Sequence, residues 1–314
     1  MKSARDTGGR EFVTGWWAPR ESQRLRAVAT TTASMTTWMK VVFAVGITAG
    51  TLNLARADTT QSPDGIRITY ETHGQGTPAI VFVHGWSCDR SYWRGQLTEL
   101  APQFKVIAID LAGHGESAAG RNVWSMTAFG GDVAAVVEKL DLKHVVLVGH
   151  SMGGDVIVEA ARRLPGRVAG LVWVDTYRQL GSPRTPEQVK ALVAPFRANF
   201  VTTTRDFVRS MFPANADAAL IERVALDMSA APPAVALGAL ESALNFDREI
   251  PRALQELKLP VVAINAEHPP TDVQSMKRHD VEVVRVPDVG HFLNLEDPKR
   301  FNAALRKAIA QFDK

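Results

Sequence analysis

The sequence predicts an α/β fold, a mostly parallel sheet flanked by helices and interrupted by a helical cap insertion, and three observations carry that prediction. Uninterrupted apolar runs recur at 79–83, 106–109, 145–148, 168–174 and 260–264. A strand covered on both faces reads this way, and sheets covered on both faces are the parallel ones. Stretches with apolar residues at helical spacing separate these runs, and strands alternating with helices imply crossover connections. Between about 177 and 257 the alternation stops and only helical patterns remain.

Size and composition agree with one large domain. The chain has 314 residues, 46% hydrophobic and 22% charged, so it buries a sizeable core without disulfides or a structural metal. Its single cysteine, Cys88, excludes an intramolecular disulfide. The net charge of +3 is misleading, because residues 1–57 carry eight basic and three acidic side chains and leave −2 on the remainder. Nothing in that remainder resembles a nucleic-acid footprint.

Residues 1–34 are polar, basic and without apolar periodicity, as expected of a disordered or untranslated segment. A short positive segment, Met35 to Lys40, leads into an uncharged apolar run from Val41 to Leu54, and Ala55-Arg56-Ala57 gives an A-x-A cleavage pattern before Asp58. This is the layout of a secretory signal peptide, so residues 1–57 are expected to be removed and the mature chain to be secreted or periplasmic. A membrane anchor is the rival, but a run of about fourteen residues is short against the roughly 20 that a span needs. Met1, Met35 and Met39 are all compatible as starts.

The segment 58–314 is expected to hold the fold. Ile66, Ile68 and Tyr70 alternate with polar residues in a first strand, and Gly74-Gln75-Gly76 turns the chain. Ala79 to Val83 is the next strand, ending in His84-Gly85-Trp86, and a helix is expected from Tyr92 to Leu100. Val106 to Ile109 closes on Asp110, which should brace the loop to Ser117. Phe129, Val133, Val136, Val137 and Leu140 lie at helical spacing. Val145 to Val148 is a buried strand, followed at once by Gly149-His150-Ser151-Met152-Gly153 and a helix from Asp155.

After the strand ending at Val174-Asp175 comes the helical stretch 177–257, expected as a cap insertion over the same sheet edge. Thr185-Pro186-Glu187-Gln188 opens it with a capping threonine, proline at the first helical position and glutamine at the third. The sheet resumes near Val261 to Ile264 and ends with Val281 to Val286, which leads into Gly290-His291-Phe292. A closing helix starts at Asp297-Pro298, with Phe301, Leu305, Ile309 and Phe312 on one face.

The G-x-S-x-G stretch between a strand and a helix has the context of a nucleophile elbow, a turn so sharp that glycines must flank the serine. The alternative is a tight turn whose serine caps the helix. Taken with His84-Gly85-Trp86, Asp110 to Ser117 and Gly290-His291-Phe292, this stretch makes residues 64–314 resemble the α/β-hydrolase family. The resemblance implies about eight strands, with reactive groups on loops at the C-terminal edge of the sheet. It further implies Ser151 as nucleophile and His291 as the base. The backbone N–H groups of Trp86 and Met152 become the oxyanion donors.

The residue types suit that chemistry. A serine hydroxyl needs a base to take its proton as it attacks, and histidine, with an ordinary pKa of about 6.5, can accept and then return it. His84, His114 and His150 sit beside motif glycines and are read as hydrogen-bonded supports. Cys88 is read as buried and inert. His268 and His279 lack zinc-ligand spacing, so neither metal nor cofactor is expected.

The third triad member departs from the common pattern, in which an Asp follows the seventh strand in a G-x-x-D-like turn. Here that region reads Asn265 to Asp272, and Pro269 stands at the expected position. Asp175, Glu267 and Asp272 therefore compete. Asp175, at a strand end, is favoured, and Asp272 suits a helix cap near Val273. The expectation is a secreted serine hydrolase that forms an acyl-enzyme with a small, apolar carboxylic ester and, once processed, has no stable membrane span. A C–C bond hydrolase, a cofactor-free perhydrolase and a non-catalytic small-molecule receptor are the alternatives.

Overall fold

The structure is a computed structural model that describes residues 57–312; the expected signal segment up to Arg56 lies outside the described residues. In chain order the elements are β1 (Asp58–Gln61), β2 (Arg67–His73), β3 (Ala79–Val83), α1 (Arg94–Leu100), β4 (Lys105–Asp110) and α2 (Met126–Lys139). Next come β5 (Val145–His150), α3 (Met152–Arg163) and β6 (Val168–Val174), then five helices: α4 (Pro186–Ala198), α5 (Phe200–Ser210), α6 (Ala218–Ser229), α7 (Pro233–Phe246) and α8 (Ile250–Leu257). The chain closes with β7 (Val261–Ala266), α9 (Val273–Lys277), β8 (Val281–Val286), α10 (Leu293–Glu296) and α11 (Pro298–Ile309).

The strands form one eight-stranded sheet in the order β1-β2-β4-β3-β5-β6-β7-β8. β2 runs antiparallel to both its neighbours, β1 and β4, and all the other pairings are parallel. Alternate residues of each central strand enter two separate cores. Val81, Leu147, Leu171 and Trp173 face α2, α3 and the inserted helices, whereas Phe82, Val146, Val148 and Val172 face α1 and α11. Burial on both faces is why these strands read as unbroken apolar runs.

β1 was not expected. Its sequence, Asp58-Thr59-Thr60-Gln61, is polar, and its side chains are largely exposed at the sheet edge. It forms through backbone pairing with β2, which leaves no hydrophobic signal. The helix expected over 92–100 begins with a 3-10 turn at Arg90–Trp93, capped by Asp89, before α1. Strand order reverses around β3, so β3 and β5 lie side by side with the loops after them at one edge. Crevices of this kind, at the carboxyl ends of parallel strands, are where open α/β sheets bind ligands.

α4 starts with the capping box read from the sequence. Thr185 Oγ1 accepts from Gln188 N at 3.3 Å, and Gln188 Oε1 accepts from Thr185 N at 2.8 Å. Among the described residues no helix is long and apolar enough to cross a membrane.

Candidate active site

The β5–α3 turn carries Ser151 in a conformation that an L-residue rarely adopts, with φ 52° and ψ −121°. Such strain costs about 1–3 kcal/mol and persists only where the surroundings enforce it. They do so here. Ser151 N donates to Val174 O at 2.9 Å, and Ser151 O accepts from Gly154 N at 2.9 Å and from Thr176 Oγ1 at 3.1 Å. The flanking glycines are obligatory: a Cβ on Gly149 would collide with Gly153 O, and one on Gly153 would lie 2.5 Å from Val83 O. The side chain of Ser151 is consequently left half-buried at the mouth of the turn, at the N-terminus of α3, where the helix dipole favours negative charge.

His291 lies in the loop after β8 and is 5% exposed. Its Nδ1 meets Oδ2 of Asp175 at 2.8 Å. This contact spans 116 residues and puts the ring proton on Nδ1, leaving Nε2 as the basic nitrogen. His291 O accepts from Nε2 of His150, the neighbour of Ser151, at 2.9 Å, and the two rings are 4.7 Å apart. Burial pulls His150 down to about 3, so it stays neutral and serves as a fixed donor.

Of the three competing carboxylates, Asp175 is the one that meets His291. Asp272 caps α9, its Oδ1 accepting from Ser275 N at 2.9 Å, and Glu267 pairs through its backbone with Val286 O. β6 lies beside β7, so Asp175 Oδ1 also receives Ala266 N at 2.8 Å. Two further residues of this neighbourhood were not singled out from the sequence. Arg178 donates through Nη2 to Asp175 Oδ1 at 2.6 Å, and Glu296 accepts from the N–H groups of Gly290 and Phe292 on either side of His291. A charged residue in a loop or short helix carries no pattern that would have revealed either.

Gly85 and Trp86 follow β3 and abut the elbow: a Cβ on Gly85 would stand 3.3 Å from Ser151 Cβ. Met152 follows Ser151 as the first residue of α3. Trp86 also holds the roof. Its Nε1 donates to Ala236 O of α7 at 2.7 Å, and its ring meets Phe196 of α4 and Phe200 and Phe207 of α5 edge-on, at 5.5, 6.1 and 6.2 Å. α5 then ends against the His291 loop, where His291 N donates to Met211 O at 3.0 Å and Phe212 stacks on Phe292. The inserted helices thus roof the sheet edge from Trp86 to His291.

The supporting groups have local roles. His84 Nδ1 donates to Gly85 O at 2.8 Å and its Nε2 accepts from Leu111 N at 3.1 Å. His114 Nδ1 donates to Ala112 O at 3.0 Å, and burial pulls this ring down to about 3. Asp110 braces its loop by accepting from Glu116 N and Arg90 N. Cys88 is buried, and burial pushes its thiol well up, which disfavours the thiolate. Among the described residues no three His, Cys, Asp or Glu side chains converge in a metal-binding group.

A strained serine at the switch of a parallel sheet, facing a roofed edge that also holds a buried histidine, defines an enzyme of the hydrolase class. The chain belongs to the alpha/beta hydrolase family, whose model matches residues 80–304. A solved thermophilic esterase from Thermogutta terrifontis is similar at 28% identity and a TM-score of 0.71, over 83% of this chain and 100% of that one. Among curated proteins, the dihydrolipoyllysine-residue acetyltransferase component of the acetoin cleaving system of Pseudomonas putida is 28% identical over 265 residues, 76% of this chain and 66% of that protein. A non-heme haloperoxidase from Rhodococcus erythropolis is 42% identical over 113 residues, 35% of this chain and 41% of that protein. The chain therefore spans at most about two thirds of the length of these curated relatives.

Proposed function

We propose that the protein is a serine hydrolase that cleaves small, apolar carboxylic esters through an acyl-enzyme. Ser151 attacks the ester carbonyl while His291 Nε2 takes its proton. The same proton is then returned to the leaving alcohol, and water repeats the sequence to release the acid. Asp175 holds the imidazole in the required tautomer and balances its positive charge. The N–H groups of Trp86 and Met152 receive the oxyanion, each worth about 3 kcal/mol in the barrier. The observation that carries this reading is the 2.8 Å contact between His291 Nδ1 and Asp175 at the same sheet edge as the strained serine. The apolar preference is supported by the aromatic roof around Trp86.

The test is turnover of a p-nitrophenyl ester with fluorophosphonate labelling. Turnover should vanish in Ser151→Ala, and mass spectrometry should find the label on Ser151 alone. Ester turnover that survives Ser151→Ala would reject the reading. Similarity to the Rhodococcus haloperoxidase favours a second reading, in which hydrogen peroxide replaces water and the acyl-enzyme gives a peracid. Peracid formed from a carboxylic acid and peroxide, and lost in Ser151→Ala, distinguishes it. We further propose that the chain is exported and cleaved after Ala57, on the strength of the apolar run and the A-x-A pattern. Sequencing the N-terminus of protein from an exporting host should find Asp58 first, whereas an intact Met1 on cytoplasmic protein would refute export.

A further inference from the structure

The carboxylate that meets His291 is shared. Asp175 Oδ2 faces the imidazole, while Oδ1 accepts from Ala266 N at 2.8 Å and from Arg178 Nη2 at 2.6 Å. Arg178 is locked at this spot. Its Nη1 donates to Ala266 O at 2.5 Å and to Thr271 Oγ1 at 3.3 Å, and Thr271 in turn accepts from Asn265 Nδ2 at 3.0 Å. Arg178 is 8% exposed, and Asp175 only 2%. Burial lowers the arginine's pKa and Asp175 opposes that fall, yet a guanidinium keeps its charge throughout the range in which enzymes work.

Building on the reading of Ser151, His291 and Asp175 as the reacting set, we propose that Arg178 is a positioning residue that sets the pH range of catalysis. It pins the outer oxygen of Asp175 and takes up part of its negative charge, so the His291 imidazolium receives less stabilisation than an unshared carboxylate would supply. Among the described residues, His150 and Glu296 also adjoin His291. His150, from the end of β5, stays neutral. Glu296, from α10, binds the backbone of the His291 loop, and burial pushes its carboxyl up to about 7, so it titrates within the assayed range in wild type and variants alike. Arg178 and the imidazole contact opposite oxygens of one carboxylate, and a unit charge at that remove, at an effective dielectric near 20, is worth about one to two pH units.

The experiment measures kcat/KM for a p-nitrophenyl ester between pH 5 and 9, at a wavelength where both forms of the product absorb equally. Wild type, Arg178→Gln and Arg178→Lys are compared. Glutamine keeps a donor for Asp175 without the charge, so its ascending limb should move to higher pH by about one to two units. Lysine keeps the charge, so its limb should stay within about 0.3 pH units of wild type although one of the guanidinium's two anchoring nitrogens is lost. An unmoved limb in Arg178→Gln overturns the proposal. So does an equal displacement in both variants, because geometry rather than charge would then be responsible. If circular dichroism shows Arg178→Gln unfolded, Arg178→Lys decides alone, and a limb displaced by a unit or more rejects the idea. Ser151→Ala separates the layers: retained turnover there refutes the catalytic reading itself. A dead Ser151→Ala with an unmoved limb in Arg178→Gln refutes only the role of Arg178.

Discussion

Glu296 offers a test of the His291 loop that needs no substrate. Both of its oxygens accept from Gly290 N, at 3.0 and 2.9 Å, and Oε1 also accepts from Phe292 N at 3.2 Å. Burial pushes its carboxyl from the ordinary 4.5 up to about 7, against the pull of those two N–H groups and with the help of the nearby Asp175 charge. A carboxyl raised in this way favours the protonated form in the folded state. Its ionisation therefore costs stability, negligibly below about 4.5 and increasingly until pH passes about 7. The interval from 4.5 to about 7 corresponds to about 3 kcal/mol, and partial solvent exposure cuts this roughly in half, to about 1.5 kcal/mol. For a domain of this size that is about 3–6 °C in Tm. Glu296→Gln removes the titration while keeping an acceptor oxygen. Measured by scanning calorimetry, the Tm of the variant minus that of wild type should rise by about 3–6 °C between pH 5 and pH 8. The lost second oxygen offsets the two curves by a constant, so only the change with pH is diagnostic. A difference that is flat within a degree, or that shrinks as pH rises, would refute the reasoning.

Asp175→Asn should fold and lose about four orders of magnitude in ester turnover, because the amide sets the wrong tautomer of His291. Glu267→Gln and Asp272→Asn should each cost less than about tenfold, and collapse of either with near-normal Asp175→Asn would relocate the acid. Trp86→Phe keeps the backbone N–H but deletes the bond to Ala236 O and part of the ring packing against α4 and α5. It should cost about 1–3 kcal/mol of stability. An unchanged Tm would show that the roof does not depend on this side chain.

Much of the architecture is written in local pattern. β3 to β7 are legible because each is covered on both faces and must be apolar throughout, and the closing helix because its apolar residues recur at helical spacing. The elbow is legible for a different local reason. Two glycines are the only residues that let β5 and α3 approach around Ser151, so the backbone geometry is stated in five consecutive letters. β1 escaped because an exposed edge strand is held by backbone bonds, to which side-chain periodicity is blind.

What the sequence by itself determined is therefore which segments form strands and helices, where the sharp turn falls, and that Ser151 and His291 follow strands of one parallel sheet. Tertiary structure alone decided which groups meet. Asp175, Glu267 and Asp272 are equally acidic in one dimension, and it is the placement of β6 beside β7 and β7 beside β8 that carries Asp175 to His291. The same neighbourhood turns Arg178 from a loop cation into the partner of that carboxylate, and Glu296 into the acceptor of the His291 loop. Local sequence specifies backbone dihedrals and burial periodicity within a few residues. The partner of a buried charge is set by strand order and register, which arise only when distant segments pack.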